Sequence, residues 1–489
     1  KIKMLLSYSE EIPEFSNEEK QKVISAIDEI KILDPACGSG AFPMGVLHKL
    51  VFALQKLDPE NKYWRELQYQ KALKESEEVF KQDDKNQREE RLKEINETFD
   101  EGINYPDYAR KLYLIENCIY GVDIQPIAIQ ISKLRFFISL VLDQKVDGGK
   151  ENFGIKALPN LETRFVAANT LIGLDKHQHL FYTDKIKKLE DDIKSLRHKY
   201  FTAKTRSEKL NCQKEDKKLR ESLAKELKNI GFSSDSSEKI AKFDLYDQNA
   251  SADFFDPEWM FGIKDGFDVV IANPPYVRQE TIKDQKPILQ QQNYEVFNST
   301  SDIYTYFYEK GYQLLKTNGI LCFISSNKWM RAKYGEKLRR FFKEKTTLKQ
   351  IIDFNGYQVF DATVDTNILL FQKAKPSENI VHILNIQPDF TPETDIADYF
   401  NSHKLEMKQS EFDGKCFTFA DETVMNLKRK IEQRGTPLKN WDVKIYRGVL
   451  TGFNEAFIID TETKEKLCKE DPKSADILKP ILRGRDIGK

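Results

Sequence analysis

Short apolar segments alternate with amphipathic helical patterns along this chain, and that alternation is the strongest constraint on its fold. Strands are predicted at 31–34, 119–124, 164–169, 267–277, 319–326 and 349–354, and as a pair at 357–373. Because the strands are mostly continuous apolar runs and helices separate them, both faces of the sheet should be covered. The pattern therefore predicts an α/β fold with a doubly wound, mostly parallel sheet.

Other segments interrupt or follow this alternation. Residues 56–112 and 184–245 are rich in charge, which favours helical insertions, with a helical hairpin at 184–228. A Pro- and Asp-rich connector with a helix follows, and short strands then begin another domain. We predict four parts: an N-terminal remnant (1–30), the α/β domain (31–375), the connector (376–436) and the start of a C-terminal domain (437–489).

Composition excludes several classes of protein. Lys and Arg (77) nearly cancel Asp and Glu (78), which excludes a globally polybasic binder but allows local basic patches. The six cysteines include no CxxC pair, which argues against a disulfide scaffold or a zinc ribbon and predicts reduced thiols in the cytoplasm. No apolar run approaches the roughly 20 residues of a membrane helix. The chain begins with Lys rather than Met, and we expect it to be a fragment.

The first two strands end in residues suited to a nucleotide ligand. DPACGSG, Asp34 to Gly40, forms a glycine turn at which backbone can approach a ligand closely. The GxGxxG pattern is incomplete because Pro43 holds the third position, and a plain tight connection is an equal alternative. Asp123 ends the second strand and could cap the next helix or bind ribose hydroxyls. That helix carries apolar residues at Ile127, Ile131, Leu134 and Ile138.

The tetrapeptide Asn273-Pro274-Pro275-Tyr276, at the end of the strand FDVVIA, is the most informative motif. Its prolines fix φ and donate no backbone N–H, so the loop presents carbonyl acceptors beside the Asn273 side-chain oxygen. Two acceptors can hold the hydrogens of an NH₂ group on a planar ring while Tyr276 stacks on that ring. The nitrogen lone pair is then localised for attack on an electrophilic methyl group. An ordinary turn is the alternative.

Together these segments resemble the S-adenosylmethionine-dependent DNA adenine-N6 methyltransferases of the gamma class, in which the glycine turn precedes NPPY and a recognition domain comes last. The resemblance covers roughly residues 30–375 and, more weakly, 437–487. Segments such as LYLIENCIYGVDIQPIAIQISKLRFFISL, RFVAANTLIG and VFDATVDTNILLFQK are similar to the large Type IIG restriction–modification enzymes and to phage-exclusion (BREX) methyltransferases. The resemblance implies a bacterial, cytoplasmic enzyme that methylates a flipped adenine in double-stranded DNA. It also implies S-adenosyl-L-methionine as cofactor, and restriction or defence-system subunits as candidate partners.

The resemblance assigns seven residues to the cofactor site. The first four match the turn around the methionine portion, and the next three match a ribose-binding acid, a residue that packs on the adenine ring and a residue near the adenine amino group. These residues are Asp34, Ala36, Gly38, Gly40, Asp123, Ile124 and Asn169. The segment that normally precedes the turn and closes over the methionine end is not recognisable in residues 1–30.

Four further residues match the family's target-base site. Asn273 and Pro274 match the acceptors for the target amino group, and Tyr276 matches the stacking aromatic residue. Phe360 falls where relatives place an aromatic side chain against the flipped base, although a core phenylalanine at a strand end is an equal alternative.

DNA binding requires phosphate contacts, and two basic segments could supply them. Residues 328–349 contain nine Lys or Arg against two Glu, and 424–450 contain seven against two acids. A solvated helix face is the simpler explanation of each segment. The candidate contacts are Lys328, Arg331, Lys333, Arg339, Arg340 and Arg447. No metal site is predicted.

Several alternatives stay open. A cytosine-C5 enzyme is excluded because its Pro-Cys loop is missing, but cytosine-N4 methylation, protein glutamine methylation and an inactive DNA-binding core are not excluded. Asp389 with Glu406 and Lys408 gives the spacing of a PD…ExK nuclease. That segment is rich in loop residues, so we do not predict nuclease activity in this fragment. In the resembled enzymes the nuclease usually precedes the methyltransferase.

Overall fold

The computed structural model describes most of the chain, in two units that span 1–419 and 420–489. The described residues are 1–79, 92–93, 95–100, 102, 104–156, 158–174, 183–203, 205–231, 233–361, 364–417, 419, 422–443 and 457–481.

The first unit is built on one nine-stranded sheet. Its strands are β1 (Ile32–Asp34), β2 (Ile119–Asp123), β3 (Phe165–Ala167), β4 (Phe267–Ala272), β5 (Leu315–Ser326), β6 (Thr347–Asp353), β7 (Thr366–Gln372), β8 (Ile380–Asn385) and β9 (Leu405–Lys408). They lie in the order β3-β2-β1-β4-β5-β7-β6-β8-β9. The first five strands in this order, β3-β2-β1-β4-β5, are parallel to one another. Strand β7 runs antiparallel between β5 and β6, and β9 is antiparallel to β8.

The order of the strands defines where a ligand can bind. From β1 the chain first moves outward to β2 and β3, and it then returns to pair β4 with β1 on the other side, with Ile32 beside Val269. In such sheets a crevice opens at the carboxyl ends of the strands where the order reverses. The predicted doubly wound, mostly parallel sheet is confirmed; Asp34 ends β1 and Asn273 follows β4, so both lie at the carboxyl ends of neighbouring parallel strands.

Helices lie before, between and after the strands. In the first unit they are α1 (Ile2–Leu6), α2 (Asn17–Glu29), α3 (Ala41–Leu57), α4 (Lys62–Val79), α5 (Pro106–Asn117), α6 (Pro126–Val141), α7 (Asp184–Thr202), α8 (Arg206–Asn229), α9 (Ser234–Lys242), α10 (Pro257–Phe261), α11 (Lys286–Gln291), α12 (Tyr304–Leu314), α13 (Glu336–Lys345) and α14 (Ile396–His403). In the second unit they are α15 (Glu422–Arg434), α16 (Thr461–Glu470) and α17 (Ser474–Ile477).

The predicted helical hairpin at 184–228 is present as α7 and α8. Thr205 accepts a hydrogen bond from the Glu208 N–H while the Glu208 side chain accepts one from the Thr205 N–H, so a capping box begins α8. The hairpin contributes Ile186, Ile193, Leu223 and Leu227 to an apolar cluster that also contains Ile240 and Trp259. The insertion therefore packs against α9 and α10.

Three details of the sequence prediction are wrong. The strand pair at 357–373 is a single strand, β7, because Asn355 and Gly356 turn the chain at φ of 47° and 87° and the described part of 357–365 forms a loop. The predicted connector contains β8, α14 and β9, so the sheet continues past residue 375. The basic helix predicted from 330 begins at Glu336, after short 3-10 turns.

Helix α6 has apolar residues on two faces. The face toward the sheet is buried and carries Ile129, Phe136 and Leu140. The residues singled out in the sequence, Ile127, Ile131, Leu134 and Ile138, form the exposed face. Hydrophobic spacing found the helix, but it did not identify which face packs on the sheet.

The second unit is described only in part. The short strands predicted to begin the 437–489 part fall mainly on 444–456, outside the described residues, and 457–460 are not in a strand. Among the helices that the structure describes, none combines the length and the apolar character needed to cross a membrane.

Candidate active site

The turn after β1 depends on two glycines with positive φ. Gly38 has φ of 53° and Gly40 has φ of 82°, a region that side chains with a Cβ rarely adopt. Asp34 is buried, and its Oδ1 accepts a hydrogen bond of 3.0 Å from the Ala36 N–H. A Cβ on Gly38 would meet no atom within 4 Å, so open space lies beside the turn.

Asp123 joins the end of β2 to this turn. Its Oδ2 accepts a hydrogen bond of 3.0 Å from the Gly38 N–H, and its Oδ1 accepts one of 2.9 Å from the Gln125 N–H. The two bonds fix the carboxylate while its side chain stays partly exposed. Ile124, the next residue, is 52% exposed and presents an apolar surface beside that carboxylate.

The environment of Asp34 favours its protonated form. Burial raises the pKa of Asp34 to about 8; the hydrogen bond from Ala36 opposes this shift, and the nearby negative charge of Asp123 adds to it. A buried carboxyl group with a second carboxyl group nearby therefore lies under the glycine turn, where a positively charged ligand group would favour ionisation of Asp34.

Asn169 lies just after β3. Its side-chain oxygen accepts a hydrogen bond of 3.2 Å from the Leu171 N–H, and its backbone N–H donates to the Ala252 carbonyl at 2.9 Å. The next residue, Thr170, is buried and donates from Oγ1 to the Pro35 carbonyl at 2.7 Å. This bond holds the end of β3 against the glycine turn, so the loops after β1, β2 and β3 are connected by hydrogen bonds.

The Asn273–Tyr276 loop lies across the crevice from these groups. The side-chain oxygen of Asn273 is buried, and no donor among the described residues reaches it. Pro274 is buried and Pro275 is exposed, so the loop turns away from the protein after one residue. The Tyr276 hydroxyl donates to the Ile324 carbonyl at 3.3 Å, which anchors its ring to β5. Burial raises the pKa of Tyr276 well above its ordinary value, so the phenol stays protonated.

Aromatic side chains surround Tyr276. Its ring is 6.5 Å from the ring of Phe360, at an interplanar angle of 56°, and 6.3 Å from the ring of Tyr304, at 89°. Tyr304 is itself fixed by a hydrogen bond of 2.9 Å between its hydroxyl and that of Tyr334. The structure thus brings Phe360 next to Tyr276, although 84 positions separate them in sequence.

The basic segment after β5 is only partly available to a ligand. Lys328, Arg331, Lys333 and Arg340 are exposed. Arg339 is 1% exposed, and its guanidinium donates to the backbone carbonyls of Trp329, Ala332, Gly414 and Lys415. Its prediction as a phosphate contact is therefore wrong, because the side chain holds α13 against the 414–415 turn. Arg447 lies outside the described residues.

Residues 117–360 match a family described as the Eco57I restriction-modification methylase. The matched segment makes up just under half of the chain. It includes Asp123, Asn169, the Asn273–Tyr276 loop and Phe360, whereas the glycine turn at 34–40 precedes it. The matched segment therefore contains the Asn273–Tyr276 loop and Phe360, which are the residues predicted to bind the target base, and Asp123, whose carboxylate is hydrogen-bonded to the glycine turn.

Curated proteins similar to this chain are named as Type II methyltransferases or as combined restriction enzymes and methyltransferases. The Type II methyltransferase M.BstVI of Geobacillus stearothermophilus is 26% identical over 45% of this chain and 41% of its own length. A putative type II restriction enzyme and methyltransferase of Methanocaldococcus jannaschii is 25% identical over 81% of this chain and 34% of its own length. The chain spans about two fifths of the length of the first curated relatives it matches.

A similarity also exists to a solved structure. The modification subunit of a putative type I restriction enzyme from Vibrio vulnificus YJ016 has a TM-score of 0.36 and 11% sequence identity. The similarity covers 85% of this chain and 58% of that subunit.

Three residues that support this site, Ser132, Thr170 and Tyr304, were not identified from the sequence. Ser132 on α6 is buried and donates from Oγ to the Gly38 carbonyl at 2.9 Å, while Thr170 and Tyr304 act as described above. The aromatic run 304–308 gave a visible signal for Tyr304. Ser132 gave none, because a serine in a helix acquires this role only once the helix is packed on the turn. Among the described residues, no group of three or more His, Cys, Asp or Glu side chains is placed to hold a metal ion.

Proposed function

We propose that this chain transfers a methyl group from S-adenosyl-L-methionine to the exocyclic N6 nitrogen of an adenine flipped out of double-stranded DNA. The family match and the Type II methyltransferase names of the relatives support methylation in a bacterial restriction–modification system. The geometry of the crevice supports the finer assignment to an amino nitrogen on a planar base.

One observation carries the proposal. The Asn273 side-chain oxygen is buried with no partner among the described residues, and leaving such an acceptor unsatisfied costs about 1–3 kcal/mol. An amino group supplied by a ligand would satisfy it. Because the same loop carries Tyr276, with Phe360 at 6.5 Å, the amino group would belong to a flat ring.

The opposite side of the crevice suits the cofactor. The turn at Gly38 leaves open space, Asp123 offers a fixed carboxylate for ribose hydroxyls, and Ile124 offers an exposed apolar surface for the adenine ring. Asp34 and Asp123 place two carboxyl groups beside the turn, and carboxyl oxygens would interact favourably with a sulfonium group. When bound, S-adenosylmethionine supplies the electrophilic methyl group.

The chain's own residues would then act on the base. Asn273 Oδ1, assisted by the Pro274 carbonyl, would accept hydrogen bonds from the amino group and localise the nitrogen lone pair toward the methyl carbon. The N–C bond would form as the methyl–sulfur bond breaks, leaving a neutral thioether, and the methylated nitrogen would lose one proton to solvent. Tyr276 would stack on the ring, and its protonated hydroxyl stays bound to Ile324, so it orients the base and takes no proton. Phe360 would pack against the flipped base next to Tyr276 and exclude water.

Double-stranded DNA would contact the exposed basic side chains near this edge of the sheet. Lys328, Arg331, Lys333 and Arg340 follow β5 and therefore lie after the strand that anchors Tyr276. Phosphate contacts of this kind fix the position of the duplex and make binding sensitive to salt.

The test is tritiated methyl transfer to mixed-sequence duplex DNA, followed by digestion to nucleosides. Label in N6-methyladenine is expected. Label in N4-methylcytosine would replace the base assignment, and label only in protein glutamine would replace the substrate. Cofactor binding without transfer to any substrate would favour an inactive DNA-binding core.

Variants test the role of the loop. Asn273→Ala should lower the transfer rate about 100- to 1000-fold, as expected for the loss of one preorganised hydrogen-bonding group, without weakening cofactor binding. Asn273→Asp keeps an oxygen acceptor and should retain more activity. Asn401→Ala, at an exposed position of α14, is the matched control. Equal loss of transfer and of cofactor binding in Asn273→Ala would contradict the role assigned to Asn273.

A further inference from the structure

The outward face of α6 is an exposed apolar stripe on a helix whose inward face is already packed. Its five residues are between 36% and 65% exposed. They are Ile127, Ile131, Leu134, Ile138 and Val141, which we call the α6 stripe. Leu142, directly after the helix, extends it and is 70% exposed.

The spacing of the α6 stripe is that of a helix-pairing surface. Its residues are separated by four, three, four and three positions, which is the heptad repeat that places one apolar seam along a helix. Positions Ile129 and Phe136, on the opposite side, are buried in the first unit. The helix is therefore fixed to its own sheet by one face and presents a complete seam on the other.

The surface is large for a single chain. The α6 stripe and Leu142 together expose on the order of 600 Å² of apolar area, at or above the roughly 300–600 Å² of the largest patch on a typical monomer. Two such patches facing each other would bury about 1,200 Å², the lower limit of the range for specific protein interfaces.

Charge does not prevent self-association. Within α6, all of whose residues the structure describes, Arg135 is the only exposed charged residue, and Lys133 is buried near Glu162. A two-fold axis brings the same patch from each copy together, so an uncharged seam is compatible with its own copy.

We propose that two copies of this chain associate through the α6 stripe, related by a two-fold axis, with the five residues of each copy packed against those of the other. The area that two stripes, each extended by Leu142, would bury reaches the lower limit for a specific interface, which is why a second copy is the occupant we assign. This inference does not depend on methyl transfer.

Oligomeric state provides the first test. Light scattering coupled to size exclusion, and sedimentation velocity, should give a dimer for the chain at low-micromolar concentration. The double substitution Ile131→Glu with Leu134→Glu should give a monomer with an unchanged circular dichroism spectrum, because both residues are exposed. Ile12→Glu changes an equally apolar residue, 67% exposed and outside α6, and should leave the dimer intact.

Cross-linking identifies the face. Leu134→Cys, near the middle of the stripe, should form an intermolecular disulfide under mild oxidation, whereas the unmodified chain, whose cysteines lie elsewhere, should not. A wild-type chain that stays monomeric would overturn the proposal, as would a dimer that survives the double substitution. Cross-linking at Leu134→Cys no greater than that of the unmodified chain would also overturn it.

Discussion

The two glycines of the turn after β1 give a sharp test of how that turn is built. Gly38 and Gly40 both have positive φ, but their surroundings differ. An added Cβ at Gly38 would meet nothing within 4 Å, whereas at Gly40 it would lie 2.9 Å from Ser132 Oγ and 3.2 Å from Ser132 Cα. Ser132 cannot yield freely, because its Oγ donates to the Gly38 carbonyl and its backbone belongs to α6.

The expected magnitudes follow from these contacts. Alanine in a left-handed conformation costs about 1–2 kcal/mol, so Gly38→Ala should lower the free energy of unfolding by about that amount. Gly40→Ala adds the cost of overpacking against α6, about 1–3 kcal/mol, to the same backbone strain. The second variant should therefore be less stable than the first by about 1–3 kcal/mol.

Urea unfolding followed by tryptophan fluorescence measures this difference, since Trp64, Trp259 and Trp329 are all buried in the first unit. The double variant Gly40→Ala with Ser132→Ala provides a third sample. It should recover part of the free energy of unfolding that Gly40→Ala loses, because the nearest clashing atom, Ser132 Oγ, is removed. Equal stabilities of Gly38→Ala and Gly40→Ala would refute the view that the turn is held closely against α6.

Three further outcomes are expected. Because burial raises the folded-state pKa of Asp34 to about 8, the folded state binds the proton more tightly than the unfolded state, and stability should fall as pH rises from about 4 to about 8. Urea midpoints measured across pH should show this fall, and Asp34→Asn should flatten it. Asp123→Ala removes the acceptor of the Gly38 N–H, so the Kd for S-adenosylmethionine, measured by calorimetry, should rise about tenfold or more. An unchanged Kd would remove Asp123 from the site. Arg339→Ala should destabilise the fold by about 2 kcal/mol or more, because it leaves backbone carbonyls unsatisfied. Arg340→Ala should change stability by less than about 0.5 kcal/mol and should reduce the salt dependence of DNA binding. The reverse ranking of the two variants in thermal melts and salt titrations would contradict the structure.

The sequence was sufficient to predict where Asp34, Asp123 and Asn273 would lie. Each ends an apolar strand, and the carboxyl ends of parallel strands share one edge of a sheet, so strand-end position gives position in space. The same reasoning fails for Arg339. A basic helix looks the same in sequence whether its arginines reach solvent or the backbone carbonyls of a turn 75 residues away, and only the packing of α13 distinguishes the two.

Long-range pairing also explains what could not be predicted. The loop that carries Phe360 follows β6, but it reaches Tyr276 because β7 inserts antiparallel between β5 and β6. The segment 357–373 was predicted as a strand pair, but the described residues of its first part form a partly exposed loop and only its second part is a strand. The turn at Asn355 and Gly356 decides between them, and its positive φ values are a property of the folded backbone.

The contrast between Asp123 and Asn273 connects stability to ligand binding. Each oxygen of Asp123 already accepts a backbone hydrogen bond, so the protein itself satisfies that group. The oxygen of Asn273 is buried without a partner among the described residues, so the ligand-free protein bears a cost of about 1–3 kcal/mol at this position. Asn273→Ala should therefore leave the ligand-free protein at least as stable, apart from the small volume lost. A base with an amino group should then stabilise the natural chain more than the variant, since it binds the folded state and satisfies that oxygen. The Asn273 oxygen therefore takes no part in the hydrogen bonds that hold the turn, and it is the acceptor that we assign to the chemical step.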